Sequence, residues 1–287
     1  MPTMSGFLEK TIVERFPHIQ EDYNERITDI AQRHPSLGEL FKQHARFRAA
    51  YVIAQLFIEV SYKALTGHAI EVELRRRSAA FSLMCLCLGI ADDLVDLPTD
   101  FDNRMGLGCL ALAILDYAYN SVADDPDANR RRIFLKTLSS FAADAIIAGQ
   151  QERRYARERQ GSLEAYIEIT SKKTTLYTRH SLHLSHSLSK CSPVLIHPIE
   201  RLGHSAGMAI QILDDLLDAK TEPIVSGQPI TYPSMLLGRG ERLDPVHSLL
   251  ERELLDAIGS CRDLPFPDDL ISLLVELQFL IAMKPWM

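Results

Sequence analysis

Two aspartate clusters give the clearest indication of chemistry in this sequence. Each has the pattern D-D-x-x-D, and together they contain Asp92, Asp93, Asp96, Asp214, Asp215 and Asp218. On a helix, the first and last carboxylates of this pattern lie on one face, about a turn apart. Each cluster ends a long apolar run, near a helix C-terminus whose negative dipole end disfavours carboxylates. A cation must therefore offset the charge.

A hard divalent cation matches these ligands. Mg²⁺ is bound by oxygen atoms and typically joins one or two carboxylates to the phosphates of a substrate. Two acidic faces across a cavity could hold metal ions that bind a diphosphate from both sides and neutralise the pyrophosphate as its C–O bond breaks. The alternative to a metal site is that these aspartates lie at solvated helix ends. That alternative explains one cluster more readily than two. We predict six metal ligands, with Asp92, Asp93 and Asp214 required for catalysis.

The rest of the chain predicts helices that position these clusters. Alternating β-branched runs are missing, while apolar residues recur at intervals of three and four, as in 51–58 and 139–149. Breakers such as Pro98, Pro193 and Pro265 separate these segments. We expect an all-α protein of roughly ten helices around a central active-site cavity. No linker-like segment divides residues 1–287, so we expect a single domain.

Composition narrows the class of partner. The chain has 287 residues, 46% of them hydrophobic, and its net charge of −7 argues against nucleic acid, which needs a basic surface. Five cysteines without regular spacing fit a reduced, cytoplasmic protein. The longest apolar run, 79–91, is shorter than the roughly 20 residues of a membrane-spanning helix, so we expect no transmembrane segment. We also expect a homodimer.

Further motifs stand in order around the clusters. The second cluster extends upstream to Gly207 and Gln211, as in G-x-x-F-Q-x-x-D-D-x-x-D, and a K-T element (172–174) and a G-Q element (149–150) precede it. With these motifs, the sequence from about Ala79 to Pro233 resembles the trans-isoprenyl diphosphate synthases, the polyprenyl synthetase family. The resemblance implies a class I isoprenoid synthase fold, three Mg²⁺ ions and a carbocation mechanism that starts from an allylic prenyl diphosphate.

The resemblance also implies roles for particular residues. Lys173 is expected to bind the diphosphate at a helix kink and to take part in catalysis. Further substrate contacts are expected from Thr174, Gln211, Arg104 and Lys220. In the family, the residues four and five before the first motif form the floor of the pocket. These are Leu88 and Cys87 here, and their size predicts a pocket for a farnesyl or longer chain.

Departures from the family pattern concern the second diphosphate site. The early G-K-x-x-R-P element, which holds isopentenyl diphosphate, is missing, and the nearest basic residues are Arg46 and Arg48. The R-R-G that follows the first motif is reduced to Arg104-Met105-Gly106. The site for the allylic diphosphate is thus complete in sequence, while the site for the homoallylic diphosphate lacks several cations.

Three functions therefore compete. A prenyltransferase would transfer the allylic cation to isopentenyl diphosphate, or to a non-diphosphate acceptor such as an indole or a peptide tryptophan. A terpene cyclase needs only one diphosphate, but aromatic residues, which steer cations, make up only 7% of the chain. A non-catalytic partner subunit would commonly have lost the aspartates that this chain keeps.

Three histidines, His180, His183 and His186, predict a packed or surface helix face rather than a metal site.

Overall fold

The computed structural model describes the backbone at 4–45, 49–96, 101–158, 162–173, 175–221 and 231–282, with side chains over most of these ranges. In these ranges the chain forms thirteen α-helices and no strand. The first six are α1 (Met4–Arg15), α2 (Pro17–Arg33), α3 (Gly38–His44), α4 (Ala49–Thr66), α5 (Val72–Asp96) and α6 (Phe101–Ala123). The others are α7 (Ala128–Glu158), α8 (Leu163–Lys173), α9 (Thr175–Ser189), α10 (Ile196–Thr221), α11 (Tyr232–Gly238), α12 (Asp244–Cys261) and α13 (Asp268–Ala282).

The all-α prediction is confirmed. The helices outnumber the roughly ten expected because some are too short to show a clear apolar period in sequence. Helices α3 and α11 have seven residues each. The long helices that carry the two aspartate clusters, α5 and α10, have 25 and 26 residues.

The chain divides into two compact units. The first comprises Met1–Glu59 and Ile70–Ala142, and the second comprises Val60–Ala69 and Ala143–Met287. Helices α4 and α7 begin in the first unit and end in the second. The single domain expected for 1–287 stays a prediction.

Helix α5 is the central helix of the first unit. It packs along α6, and every residue from 79 to 87 is buried, as its almost entirely apolar sequence predicts. Phe81 packs on Phe141 with ring centroids 6.0 Å apart. A partly buried ion pair between Arg75 Nε and Asp22 Oδ2, 2.9 Å apart, joins α5 to α2. These contacts fix the helix that ends with the first aspartate cluster.

Helix α10 is the central helix of the second unit and packs against α9 and α12. Two glycines allow the close approach of α9. A Cβ atom at Gly207 would lie 2.6 Å from the Cα of Thr175, and one at Gly203 would lie 2.9 Å from the Cα of Arg179. The Thr178 hydroxyl donates a hydrogen bond to the Gly203 carbonyl. The first turn of α9, directly after the K-T element, is therefore held against the helix that carries the second cluster.

One segment in the described part of the chain is long and apolar enough to cross a membrane. It is Arg104–Ala123 in α6, and about 39% of its most apolar 18 residues are buried. A single segment of this kind is weak support for membrane insertion, because core helices of soluble proteins can be equally long and apolar. The expected lack of a transmembrane segment stays a prediction.

Candidate active site

The second aspartate cluster lies in the last two turns of α10. Ile212, Leu213 and Leu216 anchor this stretch in the core, each at most 2% exposed. Successive residues of a helix point in different directions, while residues four apart share a face. Asp215 is accordingly buried, with 6% exposure, and Asp214 and Asp218 are partly exposed on their own face. The three carboxylates that look alike in sequence thus have two different environments.

Asp215 is held by two hydrogen bonds. The Tyr166 hydroxyl donates to Oδ2 at 2.7 Å, and the Gln211 amide donates to Oδ1 at 2.8 Å. Burial raises the pKa of Asp215 to about 6, whereas the two hydrogen bonds and the positive charge of Lys173 act to lower it. Gln211, which we expected to contact substrate, contacts this aspartate in the free protein.

Lys173 and Lys172 point to different partners. The Lys173 ammonium lies 2.8 Å from the Glu152 carboxylate of α7, and its charge also acts on Asp215. Lys172 pairs with Glu168 of its own helix at 2.6 Å, and both of those side chains are exposed. Helix α8 ends at Lys173 and α9 begins at Thr175, while Thr174 lies outside the described residues. This geometry supports Lys173 as the lysine of the K-T element.

The donor set on α10 suits Mg²⁺. In the described part of the chain, no three His, Cys, Asp or Glu side chains are grouped closely enough to form a metal cage. Asp214 and Asp218 instead present carboxylate oxygens one turn apart, and Mg²⁺ is commonly bound by one or two carboxylates together with substrate phosphates. The residues therefore fit a metal ion whose coordination is completed by a ligand.

The first cluster occupies the last turn of α5, as the sequence predicts, and the side chains of Asp92, Asp93 and Asp96 lie outside the described residues. Arg104 is exposed in the first turn of α6. Lys220 belongs to the last turn of α10, and its side chain also lies outside the described residues.

The two residues expected at the pocket floor have different environments. Cys87 is 9% exposed, and its thiol donates to the Ala111 carbonyl at 3.4 Å, so it faces α6. Burial raises the pKa of this thiol to about 11, which keeps it protonated. Leu88 is only half-buried. Tyr51 of α4 packs close to the next residue, Gly89, where a Cβ atom would lie 3.0 Å from its ring.

Two residues of this site, Tyr166 and Glu152, were missed in the sequence. Tyr166 precedes Lys173 by seven residues, two turns along the same face of a helix, and this spacing is the signal that could have found it. Glu152 belongs to a charge-rich stretch that is typical of a solvated helix face, and only the packing of α7 near the end of α8 distinguishes it.

The three histidines of α9 lie next to different groups. His180 contacts Asp144 at 3.0 Å, His183 lies 3.7 Å from Glu200, and His186 contacts the Ser192 carbonyl at 3.1 Å. Each ring thus has a separate partner.

Comparison with known proteins agrees with these observations. The sequence model of the polyprenyl synthetase family matches residues 111–232. A prenyl transferase from Synechocystis sp. is 25% identical over 249 residues, which cover 79% of this chain and 74% of the relative.

Solved structures of prenyl diphosphate synthases share the fold. A geranylgeranyl pyrophosphate synthetase from Pyrococcus horikoshii has a TM-score of 0.68 at 17% identity, covering 94% of this chain and 97% of its own. A heptaprenyl diphosphate synthase from Staphylococcus aureus has a TM-score of 0.68 at 15% identity, with 89% and 97% covered. The fold is therefore the one seen in these prenyl diphosphate synthases, and residues 111–232 are similar in sequence to the polyprenyl synthetase family.

Proposed function

We propose that this protein is a Mg²⁺-dependent prenyltransferase that ionises an allylic prenyl diphosphate and transfers the prenyl cation to an acceptor. One observation carries the proposal. In the second unit, Asp215 is buried and accepts two hydrogen bonds, the charge of Lys173 acts on it, and Asp214 and Asp218 are partly exposed on the same helix. An ammonium beside acidic oxygen ligands can bind a diphosphate together with the metal that accompanies it.

Lys173 is the residue proposed to contact the leaving group. In the free protein its charge is balanced by Glu152. A diphosphate carries more negative charge than one carboxylate, so we expect the ammonium to move from Glu152 to the bound diphosphate. A charge-assisted hydrogen bond of this kind contributes about 1.5–3 kcal/mol. It would stabilise the negative charge that develops as the C–O bond breaks.

The carboxylates are proposed to hold the metal. Asp214, Asp215 and Asp218 would do so from α10, and Asp92, Asp93 and Asp96 from α5. Each oxygen of Asp215 accepts one hydrogen bond in the free protein and keeps a second lone pair for a further contact. When bound, Mg²⁺, of which we expect three ions, supplies Lewis-acid stabilisation to the diphosphate oxygens.

The acceptor is either isopentenyl diphosphate or a molecule without a diphosphate. Chain elongation requires a second cationic site, and the sequence lacks the G-K-x-x-R-P element for it. The same departure supports a second candidate, a terpene cyclase, because cyclisation needs one diphosphate only. A regulatory subunit without activity is the third candidate.

Product analysis tests these proposals. Purified protein would be incubated with Mg²⁺ and labelled geranyl, farnesyl or geranylgeranyl diphosphate, with and without isopentenyl diphosphate. Longer diphosphates that form only with isopentenyl diphosphate would establish elongation. Cyclic hydrocarbons or alcohols without it would establish a cyclase. Release of pyrophosphate in neither arm, with Asp214→Ala as the inactive reference, would contradict ionisation and favour the regulatory subunit.

We further propose that the protein is a homodimer that pairs through α6. Met105 and Leu112 of this helix are 55% and 66% exposed, and Cys109 between them is exposed as well. Residues at these spacings form one stripe of a helix, and a second copy of the chain would remove the apolar stripe from water. Leu112→Glu should convert a dimer to a monomer in analytical ultracentrifugation. An unchanged sedimentation coefficient would place any dimer contact elsewhere.

A further inference from the structure

We infer that Tyr166 is a positioning residue of this site, because its hydroxyl joins α8 to Asp215 and so sets the spacing between Lys173 and the carboxylates of α10. The inference rests on the proposed function. Tyr166 is buried and contacts Asp215, and its effect on the reaction is exerted through that aspartate.

The hydrogen bond between Tyr166 and Asp215 is well formed. The hydroxyl donates to Oδ2 at 2.7 Å, and both residues are buried, at 7% and 6% exposure. A phenol is protonated at neutral pH and donates through its hydroxyl. Leaving a buried carboxylate without such a donor costs free energy, so we expect this hydrogen bond to be maintained.

The position of Tyr166 along α8 connects this contact to Lys173. Seven residues of helix are about two turns, so Tyr166 and Lys173 lie on the same face of α8. Fixing Tyr166 to Asp215 therefore fixes where α8 ends relative to Asp214 and Asp218. A displacement of reacting groups by about 1 Å can lower a rate about 100-fold, so the spacing matters more for turnover than for folding.

A second contact holds the ring itself. Tyr166 stacks on Tyr232, the first residue of α11, with ring centroids 5.7 Å apart and an interplanar angle of 26°. The side chain of Thr231 caps α11 by accepting from the Ser234 amide, so Tyr232 stands on an ordered helix end. The stacking and the hydroxyl contact can be removed separately. Tyr166→Phe keeps the stacked ring and loses only the hydrogen bond.

The test compares Tyr166→Phe with a matched control. Tyr119→Phe also removes one hydroxyl hydrogen bond, to Ser139 at 3.4 Å on an exposed surface of the first unit. We expect Tyr166→Phe to lower kcat about tenfold or more, with less than a threefold change in KM for the allylic diphosphate, because it affects the alignment of groups rather than their presence. Tyr119→Phe should leave kcat and KM unchanged.

A binding measurement provides a readout that does not depend on turnover. Pyrophosphate carries the full charge of the leaving group, so its binding with Mg²⁺ should depend on the alignment of Lys173 and the carboxylates more than substrate binding does. The rise in melting temperature that it produces should be smaller in Tyr166→Phe and retained in Tyr119→Phe, since ligand stabilisation grows with the logarithm of affinity. If the wild-type protein proves inactive with every donor, the proposed function fails, and this shift still decides the role of Tyr166. A wild-type kcat and a wild-type shift in Tyr166→Phe would overturn the inference.

A double-mutant cycle tests the route through Asp215. Asp215→Asn removes the charge and keeps the shape, and in this background Tyr166→Phe should have less than half its effect on kcat or on the thermal shift, because contacting residues are not additive. Fully additive effects would mean that Tyr166 acts by another path. If Tyr166→Phe does not fold, Tyr232→Leu is the second variant. It leaves the hydroxyl in place, and we expect it to lower the thermal shift less than Asp215→Asn does.

Discussion

The Lys173 ammonium lies 2.8 Å from the carboxylate of Glu152, and each side chain is about one-third exposed. The pair joins the end of α8 to α7, while the neighbouring Lys172 pairs within α8 and faces solvent. A side chain that is already held near the aspartate cluster loses less conformational freedom when it binds a ligand. This difference between two adjacent lysines leads to the first prediction.

Lys173→Ala should weaken ionisation or binding of the allylic diphosphate by at least about tenfold, the loss of one charge-assisted contact of about 1.5–3 kcal/mol. Lys172→Ala should have a much smaller effect, because the exposed pair with Glu168 contributes little. Steady-state kinetics of both variants provide the measurement. If Lys172 is the sensitive residue, the K-T element is displaced by one position.

Metal dependence should require both aspartate clusters. Asp93→Ala and Asp214→Ala should each lower turnover by several orders of magnitude, because metal ligands act as a unit and cannot be replaced singly. Far-ultraviolet circular dichroism should show that both variants keep their helices. EDTA should abolish activity, and added Mg²⁺ should restore it. Near-wild-type rates in either variant, or in EDTA, are incompatible with the proposed mechanism.

Gly207→Ala should destabilise the protein by about 1–3 kcal/mol, because its Cβ would lie 2.6 Å from the backbone of Thr175 and α9 would have to move. Gly259→Ala in α12 is the matched control, since a Cβ there meets no atom within 4 Å. That change should stabilise by roughly 0.5–1 kcal/mol, the usual gain in a helix interior. Urea unfolding of both variants measures the difference. Equal stabilities would show that α9 tolerates displacement.

The helices were predictable from sequence because their signal is local. Apolar residues at three- and four-residue intervals, and breakers between them, depend only on neighbours along the chain.

The different environments of Asp214 and Asp215 were not predictable. In a helix, adjacent side chains point in different directions, but the helices packed around α10 determine which of the two aspartates is buried. Tyr166 reaches Asp215 across 49 positions of sequence, and Lys173 reaches Glu152 across 21. Contacts of this kind are set by tertiary packing and leave no periodic pattern.

Acid should destabilise the protein partly through His180. Burial, opposed by the Asp144 carboxylate and aided by the charges of His183 and Arg179, lowers the pKa of this imidazole. As the pH falls, the unfolded chain therefore takes up the proton before the folded protein does. The contribution of neutral His180 to the free energy of unfolding is complete above about pH 6.5, and it is lost as the pH falls from there through the lower pKa of the folded protein. His180→Gln should reduce the loss of urea-unfolding free energy between neutral and mildly acidic pH. Equal slopes in the His180 variant and the wild type would exclude the effect.

Cys87 tests the depth of the pocket. Cys87→Phe should shift the preferred substrate or product to a shorter chain, because the ring would fill the space of a terminal isoprene unit. The competing explanation is that Cys87 only packs in the core, and its 3.4 Å contact with the Ala111 carbonyl places it against α6. In that case the larger side chain costs about 1–3 kcal/mol of stability and leaves chain length unchanged.

Two measurements on the same protein separate these outcomes. Product length is determined by chromatography of the dephosphorylated prenyl alcohols, and stability by the melting temperature. Cys87→Ser, which changes volume little, should preserve the chain-length preference and controls for loss of the thiol. A shorter product from Cys87→Phe supports a pocket floor at this residue, provided that the fall in melting temperature corresponds to no more than the about 1–3 kcal/mol that overpacking costs. A destabilised variant with the wild-type product distribution would place the floor elsewhere, with the Tyr51 ring beside Gly89 as the next position to substitute.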